Sequence, residues 1–258
     1  MHQNDLARRF AALHVKGNPL ALYNAWDVGS AKAIARAGAP AVATSSWAVA
    51  AAQGYDDGES MPLSLVEQLA KRIVDAVDVP VTVDFEGAYS EDPRVCAANV
   101  GRLLDVGVVG INFEDRIVSG TGLYSIQAQC DRIAAIRAMA DARGVALFIN
   151  ARTDLFFNPQ LAPTDGMPEA RARAEAYAKA GASGLFVPGL VDLQAIAALC
   201  ADVALPVNVM LGAGLPDLHT LAEAGVARVS QGPHAYLAAM EAVRVAAQDF
   251  QAQSAPVA

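Results

Sequence analysis

Two short stretches concentrate the chemistry of this chain. Val81-Thr82-Val83-Asp84-Phe85-Glu86 alternates apolar and polar side chains, and Ile111-Asn112-Phe113-Glu114-Asp115 alternates likewise before adding a second acid. Side chains two apart on a strand share a face. Asp84 and Glu86 therefore leave one strand on the same side, as Asn112 and Glu114 leave the other. Four acids at the ends of two consecutive strands repel one another unless a cation sits between them. A hard divalent ion that keeps part of its water shell answers that need, Mg2+ first and Mn2+ as the alternative.

A third stretch, Phe148-Ile149-Asn150-Ala151-Arg152-Thr153-Asp154, places Asn150, Arg152 and Asp154 on one face. An inward guanidinium beside acidic groups can clamp a carboxylate with two parallel hydrogen bonds. Asn112, Asn150 and Asn208 interrupt strands that are otherwise branched and apolar. They either reach a ligand or form a closed internal hydrogen-bond network.

These residues need strands to hold them at a common level. Strands are expected at 21–25, 41–45, 79–86, 110–115, 146–153, 184–188, 206–211 and 227–231. Helical patterns lie near 29–36, 63–77, 93–105, 126–143, 167–180, 192–201, 217–224 and 234–252, with a further helix over 5–15 ahead of the first strand. Gly38, Gly107, Gly181 and Gly225 close helices before strands. Eight strand–helix units without a composition break predict one α/β domain over 1–258, a (β/α)8 TIM-type barrel with an extra N-terminal helix. The first strand runs into Trp26-Asp27-Val28-Gly29-Ser30, which is not the glycine-rich fingerprint of a doubly wound sheet. Unstructured stretches are expected at 47–62, 116–125 and 154–166, all following strands and so all at the C-terminal face of the barrel.

The net charge of −8 gives no basic surface for nucleic acid or anionic membrane. Cys96, Cys130 and Cys200 lie far apart in helical patterns and read as free thiols. No signal-peptide pattern and no membrane-length apolar run occurs, so a cytoplasmic location is expected.

The chain resembles the isocitrate lyase/phosphoenolpyruvate mutase superfamily. The resemblance runs from Asn24-Ala25-Trp26-Asp27 to Ser230-Gln231-Gly232-Pro233. It rests most on Thr44-Ser45-Ser46, Gly54-Tyr55-Asp56-Asp57-Gly58-Glu59, Asp84-Phe85-Glu86, Asn112-Phe113-Glu114-Asp115 and Asn150-Ala151-Arg152-Thr153-Asp154. It implies a barrel holding Mg2+ at its C-terminal face, a small 2-oxo acid substrate, and a bond made or broken next to the oxo group. It also implies a homo-oligomer, dimer or tetramer, with exchanged last helices. By the same resemblance, Asp84 stands nearest the metal, and Asp57, Glu86 and Glu114 hold its waters. Ser45 and Ser46 cradle the substrate carboxylate, Arg152 contacts the carboxylate or departing group, and Trp26 and Asp27 fall at the pocket; Asn208, from its place on the seventh strand, is a further substrate-binding candidate. Asp57 and Arg152 are the expected catalytic residues. Asp115 either joins the metal shell or ties down the following loop.

Departures narrow the reaction. Lyases of isocitrate or methylisocitrate carry a Lys-Lys/Arg-Cys-Gly-His loop. Here the loop is Arg116-Ile117-Val118-Ser119-Gly120-Thr121-Gly122-Leu123-Tyr124, without cysteine or histidine. The Lys-Thr-Asn-Ser loop of phosphonate-processing members is missing too. Glu86 stands where many members have Asp. The expectation is a Mg2+-dependent carbon–carbon lyase whose acid/base is open among Tyr23, Tyr89, Ser119, Thr121 and Tyr124. An oxaloacetate-type decarboxylase, a phosphonopyruvate hydrolase or mutase, and a 2-oxo acid-binding protein with little turnover are the alternatives.

Overall fold

Alternation of apolar runs with amphipathic segments yields nine short strands: β1 (Leu20–Leu22), β2 (Asn24–Ala25), β3 (Val42–Thr44), β4 (Val81–Asp84), β5 (Gly110–Glu114), β6 (Phe148–Arg152), β7 (Gly184–Phe186), β8 (Val207–Met210) and β9 (Arg228–Ser230). The computed structural model describes residues 2–158, 162–212 and 214–253. All neighbouring strands pair in parallel, in the order β1-β9-β8-β7-β6-β5-β4-β3-β2. Only Tyr23 separates β1 from β2. The first half pairs with β9 and the second with β3, so together they act as one strand that closes a TIM-type barrel.

The helices are α1 (Gln3–Ala12), α2 (Val28–Arg36), α3 (Ser46–Ala52), α4 (Leu63–Val74), α5 (Pro93–Asp105), α6 (Ile126–Ala142), α7 (Pro163–Ala180), α8 (Leu193–Asp202), α9 (Leu218–Glu223) and α10 (His234–Gln253). Among the described residues none is long and apolar enough to cross a membrane. Capping explains the well-placed starts. Asp92 accepts the backbone N–H groups of Arg94 and Val95, and Pro93 occupies the first turn, where its missing donor costs nothing. Gly181 ends α7 with φ 105°, a conformation open to glycine.

The expected loops held two surprises. Residues 46–52 form α3, capped by Ser45, whose Oγ accepts from Ala48 N at 3.5 Å. Asp154–Phe157 form a 3-10 turn capped by Thr153. α7 also begins earlier than the pattern predicts, because Pro163 rather than Pro168 lies in its first turn.

The outward side chains Val83, Ile111, Ile149, Leu185 and Val209 are buried beneath the helices. α1 closes the opposite, N-terminal end of the barrel. Its Phe10 is fully buried, and a Cβ on Gly110 would stand 2.8 Å from the Phe10 ring, so glycine admits the plug. Gln3 anchors the helix through Nε2 to the carbonyls of Leu104 (2.8 Å) and Val108 (3.0 Å). With that floor sealed, the accessible interior lies at the C-terminal face.

Candidate active site

Strand register assembles the site. Asp84, Asn112 and Asn150 are neighbours across β4, β5 and β6, and Glu114, Arg152 and Phe186 form the next row across β5, β6 and β7. Above them opens a cavity of about 330 Å³. Asp57, Asp84, Asn112, Arg116 and Arg152 supply its polar wall, and Trp47, Phe157, Phe186, Met210 and Pro233 its apolar one.

Asp84 is the best-held acid. Its Oδ2 accepts from Ser46 N (3.1 Å) and Ser46 Oγ (2.9 Å), and its Oδ1 accepts from Asn112 Nδ2 (3.2 Å). Arg152 faces it at 4.0 Å, while standing 3.0 Å from Glu114. Asp154 takes Arg152 Nε and Nη2 bidentately, at 2.6 and 2.9 Å, and so fixes the plane of the guanidinium.

The remaining acids crowd this centre. Glu86 lies just past β4 at φ 49° and accepts the backbone N–H of Glu59. Glu59 in turn accepts from Tyr89 N at 2.7 Å. These two bonds dock the loop carrying Asp57 onto the turn after β4. Burial, then repulsion from Asp57, Asp84, Glu114 and Glu59, pushes the Glu86 carboxyl up to about 9. Burial pushes Glu114 up to about 8 against the pull of Arg152. Burial and Asp84 also raise Asp57.

This donor set fits Mg2+. No three acidic, histidine or cysteine side chains among the described residues stand close enough to cage a metal by themselves. Mg2+ does not require such a cage, because it keeps several waters and takes one or two direct carboxylates. Asp84 would be the direct ligand, with Asp57, Glu86 and Glu114 receiving water protons. Burial is the first cause of the raised carboxyls and repulsion among the acids adds to it; a cation would relieve that repulsion.

Several residues stand elsewhere than the sequence reading put them. Trp26 does not line the cavity; its ring packs edge-on against Tyr236 of α10, while Trp47 takes the wall position. The Asp27 carboxylate caps α2 by accepting Ser30 N at 2.7 Å. Ser45 and Ser46 do line the cavity, with Ser45 committed to capping α3 and Ser46 to Asp84. Asn208 lies beneath the floor. Its Oδ1 accepts from Asn150 Nδ2 at 3.0 Å, and its own amide donates to the carbonyl of Arg228 at 3.2 Å. For Asn208, the internal network is the reading the geometry supports. Asp115 is buried beneath the loop, where Arg173 Nη1 (2.9 Å) and Tyr177 OH (2.8 Å) donate to it. It ties down the loop.

Arg228 went unnoticed in the sequence, although it alternates with Ser230 on an inward strand face. Its guanidinium is fully buried and donates from Nη2 to Asn112 Oδ1 at 3.1 Å. Burial lowers it to about 10, opposed by Asp84. Of the open acid/base candidates, Tyr23, Tyr89, Ser119, Thr121 and Tyr124 all lie outside the cavity lining. Ser119 instead donates to Glu91 at 3.0 Å.

The sequence model of the phosphoenolpyruvate phosphomutase family matches residues 10–251. The chain belongs to that family. Within the isocitrate lyase/phosphoenolpyruvate mutase superfamily it is an enzyme whose named relatives include lyases. An uncharacterised protein of Mycobacterium tuberculosis is 36% identical over 93% of this chain and 87% of its own length. The 2-methylisocitrate lyase of Escherichia coli is 28% identical over 80% of this chain and 70% of its own. The oxaloacetate decarboxylase of Pseudomonas savastanoi pv. phaseolicola is 29% identical over 93% and 83%. A crystal structure from Burkholderia cenocepacia superimposes with a TM-score of 0.93 at 46% identity, covering 96% of this chain and all of that one. Phosphonopyruvate hydrolase, crystallised with oxalate and Mg2+, shares the fold of this family member at a TM-score of 0.85 and 21% identity, over 98% of this chain and 88% of its own.

Proposed function

We propose that this enzyme is a Mg2+-dependent carbon–carbon lyase acting on a small 2-oxo acid or its 2-hydroxy acid adduct. One observation carries the reading. Asp84, held by Ser46 and Asn112, stands 4.0 Å from Arg152 in the wall of a 330 Å³ cavity, with three further acids, Asp57, Glu86 and Glu114, crowded around it. The named relatives that act on such acids, and the Mg2+ and oxalate bound by phosphonopyruvate hydrolase, agree with it.

Mg2+ held at Asp84, with Asp57, Glu86 and Glu114 around its waters, would supply Lewis-acid stabilisation of negative charge at the oxo oxygen. The protein does the rest. Asp84 keeps a fixed position because two Ser46 donors and Asn112 hold both of its oxygens. Arg152 is oriented by Asp154 and presents a cation to a carboxylate or to the departing group. The apolar wall of Trp47, Phe186 and Met210 keeps bulk water from the carbon chain and strengthens those electrostatic contacts. Asp57, raised and placed on the wall, can hold or pass a proton through water.

Decarboxylation of a 2-oxo diacid is the second reading. No cysteine, histidine or lysine stands among the described residues lining the cavity, and loss of CO2 demands less acid/base machinery than retro-aldol cleavage.

Thermal shift with small 2-oxo and 2-hydroxy acids, with and without Mg2+, tests the site because a ligand of the native state raises stability by mass action. The expected shift requires Mg2+ and disappears in Asp84→Ala. No Mg2+-linked shift with any acid would sink the reading. Oxaloacetate turnover then separates an enzyme of this chemistry from a protein that only binds 2-oxo acids.

A further inference from the structure

Three segments around the site converge on Gly87. A Cβ there would stand 3.1 Å from Glu59 Oε1, 3.2 Å from Val118 Cγ2 and 3.4 Å from Arg132 Nη2. The turn after β4, the loop carrying Asp57 and the loop after β5 therefore meet at this point, and α6 sends a guanidinium into the junction.

The turn is costly to hold. Glu86, Ala88 and Tyr89 have φ of 49°, 59° and 59°, and Glu59, docked on them, has φ 58°. Residues other than glycine seldom adopt these left-handed conformations, and they persist only where the surroundings over-determine them. Part of the restraint comes from neighbours already close in sequence. Cys96 Sγ donates to the Ser90 carbonyl at 3.1 Å and Asn99 Nδ2 to the Ala88 carbonyl at 2.9 Å.

Arg132 adds the long-range part. It is 1% exposed. Its Nη2 donates to the carbonyls of Gly87 (2.6 Å) and Ser90 (3.1 Å) and so spans the turn. Its Nη1 donates to Gln129 Oε1 at 2.6 Å, and Gln129 Nε2 donates to the Glu114 carbonyl at 3.1 Å. The guanidinium carbon also lies 4.6 Å from the centre of the Phe113 ring and 4.3 Å from that of Tyr124. One side chain is thus tied to the turn of Glu86, to the strand end of Glu114 and to the close of the loop after β5. Its hydrogen-bond acceptors are carbonyl and amide oxygens, which fix geometry without neutralising its charge. A fixed cation near a metal site opposes metal binding by charge alone. Support of the shell and plain repulsion therefore predict opposite signs when Arg132 is removed.

We propose that Arg132 is a positioning residue of the metal shell. By holding the turn and Gln129 it keeps Glu86 and Glu114, and through Glu59 the loop of Asp57, where they meet the waters of Mg2+. This rests on the Mg2+ reading of the site. Arg132 itself lies behind the acids and acts through them.

The test reads metal affinity and local order instead of turnover. Mn2+ is titrated into the protein and the free ion counted by electron paramagnetic resonance, and hydrogen exchange is followed on the metal-free protein. Arg132→Met keeps an unbranched chain beside Phe113 and Tyr124 and removes every donor. It is expected to weaken Mn2+ binding by about tenfold or more, the usual loss when an outer support of a metal site is removed. The amides of Glu59 and Tyr89 should exchange faster in it, while those of β6 and β8 exchange as in wild type. Arg132→Lys, which retains a donor for the Gly87 carbonyl, should fall between the two. Unchanged or tighter Mn2+ binding by Arg132→Met overturns the inference, tighter binding being the mark of lost repulsion. So does faster exchange that is as large in β6 and β8 as at Glu59 and Tyr89, which marks general destabilisation. If Arg132→Met does not fold, Arg132→Lys is read in its place, and wild-type Mn2+ affinity in that variant overturns the inference. Absence of Mn2+ binding by wild type overturns the metal reading and this role with it.

Discussion

Asn112 is the junction through which the polar interior of the barrel is joined. It donates to Asp84, accepts from Asn150 at 2.9 Å and accepts from the buried Arg228 at 3.1 Å. Arg228 Nε and Nη1 have no partner among the described residues, so Asn112 holds a cation that has little else. Truncating one partner of a buried charged contact leaves the other desolvated and unpaired, at a cost of about 3 kcal/mol or more. Asn112→Ala is therefore expected to lower stability in urea by about that amount. Replacing the orphaned cation as well, in Asn112→Ala/Arg228→Met, is expected to recover a large part of the loss. Additive losses in the double mutant would show that Arg228 does not depend on Asn112.

Among the elements, α1 has the clearest separate role. Phe10 fills the floor of the barrel, and His14, just past the helix, stacks on Phe148 with ring centroids 3.9 Å apart. His14 Nδ1 lies 2.9 Å from the Phe10 carbonyl, which can only accept, so the neutral ring carries its proton there. Burial, and then the charge of Arg228, lowers His14 from 6.5 to about 3. The unfolded chain thus takes up this proton first. The stability contributed by neutral His14 is full above about 6.5 and is lost as pH falls from there towards about 3. The slope is at most about 1.4 kcal/mol per pH unit. Chemical denaturation between pH 7 and 4 should show a shallower acid loss in His14→Phe than in wild type. Carboxylates titrating in that range are common to both proteins and cancel in the comparison. Equal slopes would remove His14 from the account.

At the scale of the whole molecule, α10 stands apart from the other barrel helices. Leu237, Met240 and Val243 recur at helical spacing and remain 45%, 37% and 60% exposed, whereas the helix buries Ala235. A row of large apolar side chains along one helix is the pattern of a surface made to be covered. A homo-oligomer assembled through α10 is the expected state, and light scattering should give at least a dimer. Val243→Glu should shift the mass towards the monomer while leaving the circular dichroism unchanged. A wild-type monomer at micromolar concentration would remove this role for α10.

The strand pattern, the glycine closures and the acidic strand ends were legible because they follow local rules. A period of two identifies β4 and β5 from a handful of residues, and Gly38, Gly107, Gly181 and Gly225 all take the positive φ their positions imply. Asp84 and Arg152 could be placed at one end of the barrel from strand order, whereas Asp57 and Ser46 joined them only through the family resemblance. What local pattern could not supply was competition for the same groups. Ser45 and Ser46 could cradle a ligand, cap a helix or brace a carboxylate, and only packing shows Ser45 capping α3 while Ser46 bonds Asp84. Trp26 and Trp47 are equally suited to a pocket wall, and both pack edge-on against Tyr236 of α10, yet only Trp47 reaches the cavity. The fate of a buried polar side chain depends on partners far away in sequence, so Asn208 and Arg228 acquire their roles from strands that meet only when the barrel closes. The chain by itself determined which residues reach the mouth of the barrel, because alternation and strand order are local. Closure of the barrel alone decided which of them remain free to meet a substrate, because each hydrogen-bonding group serves the partner that folding brings nearest.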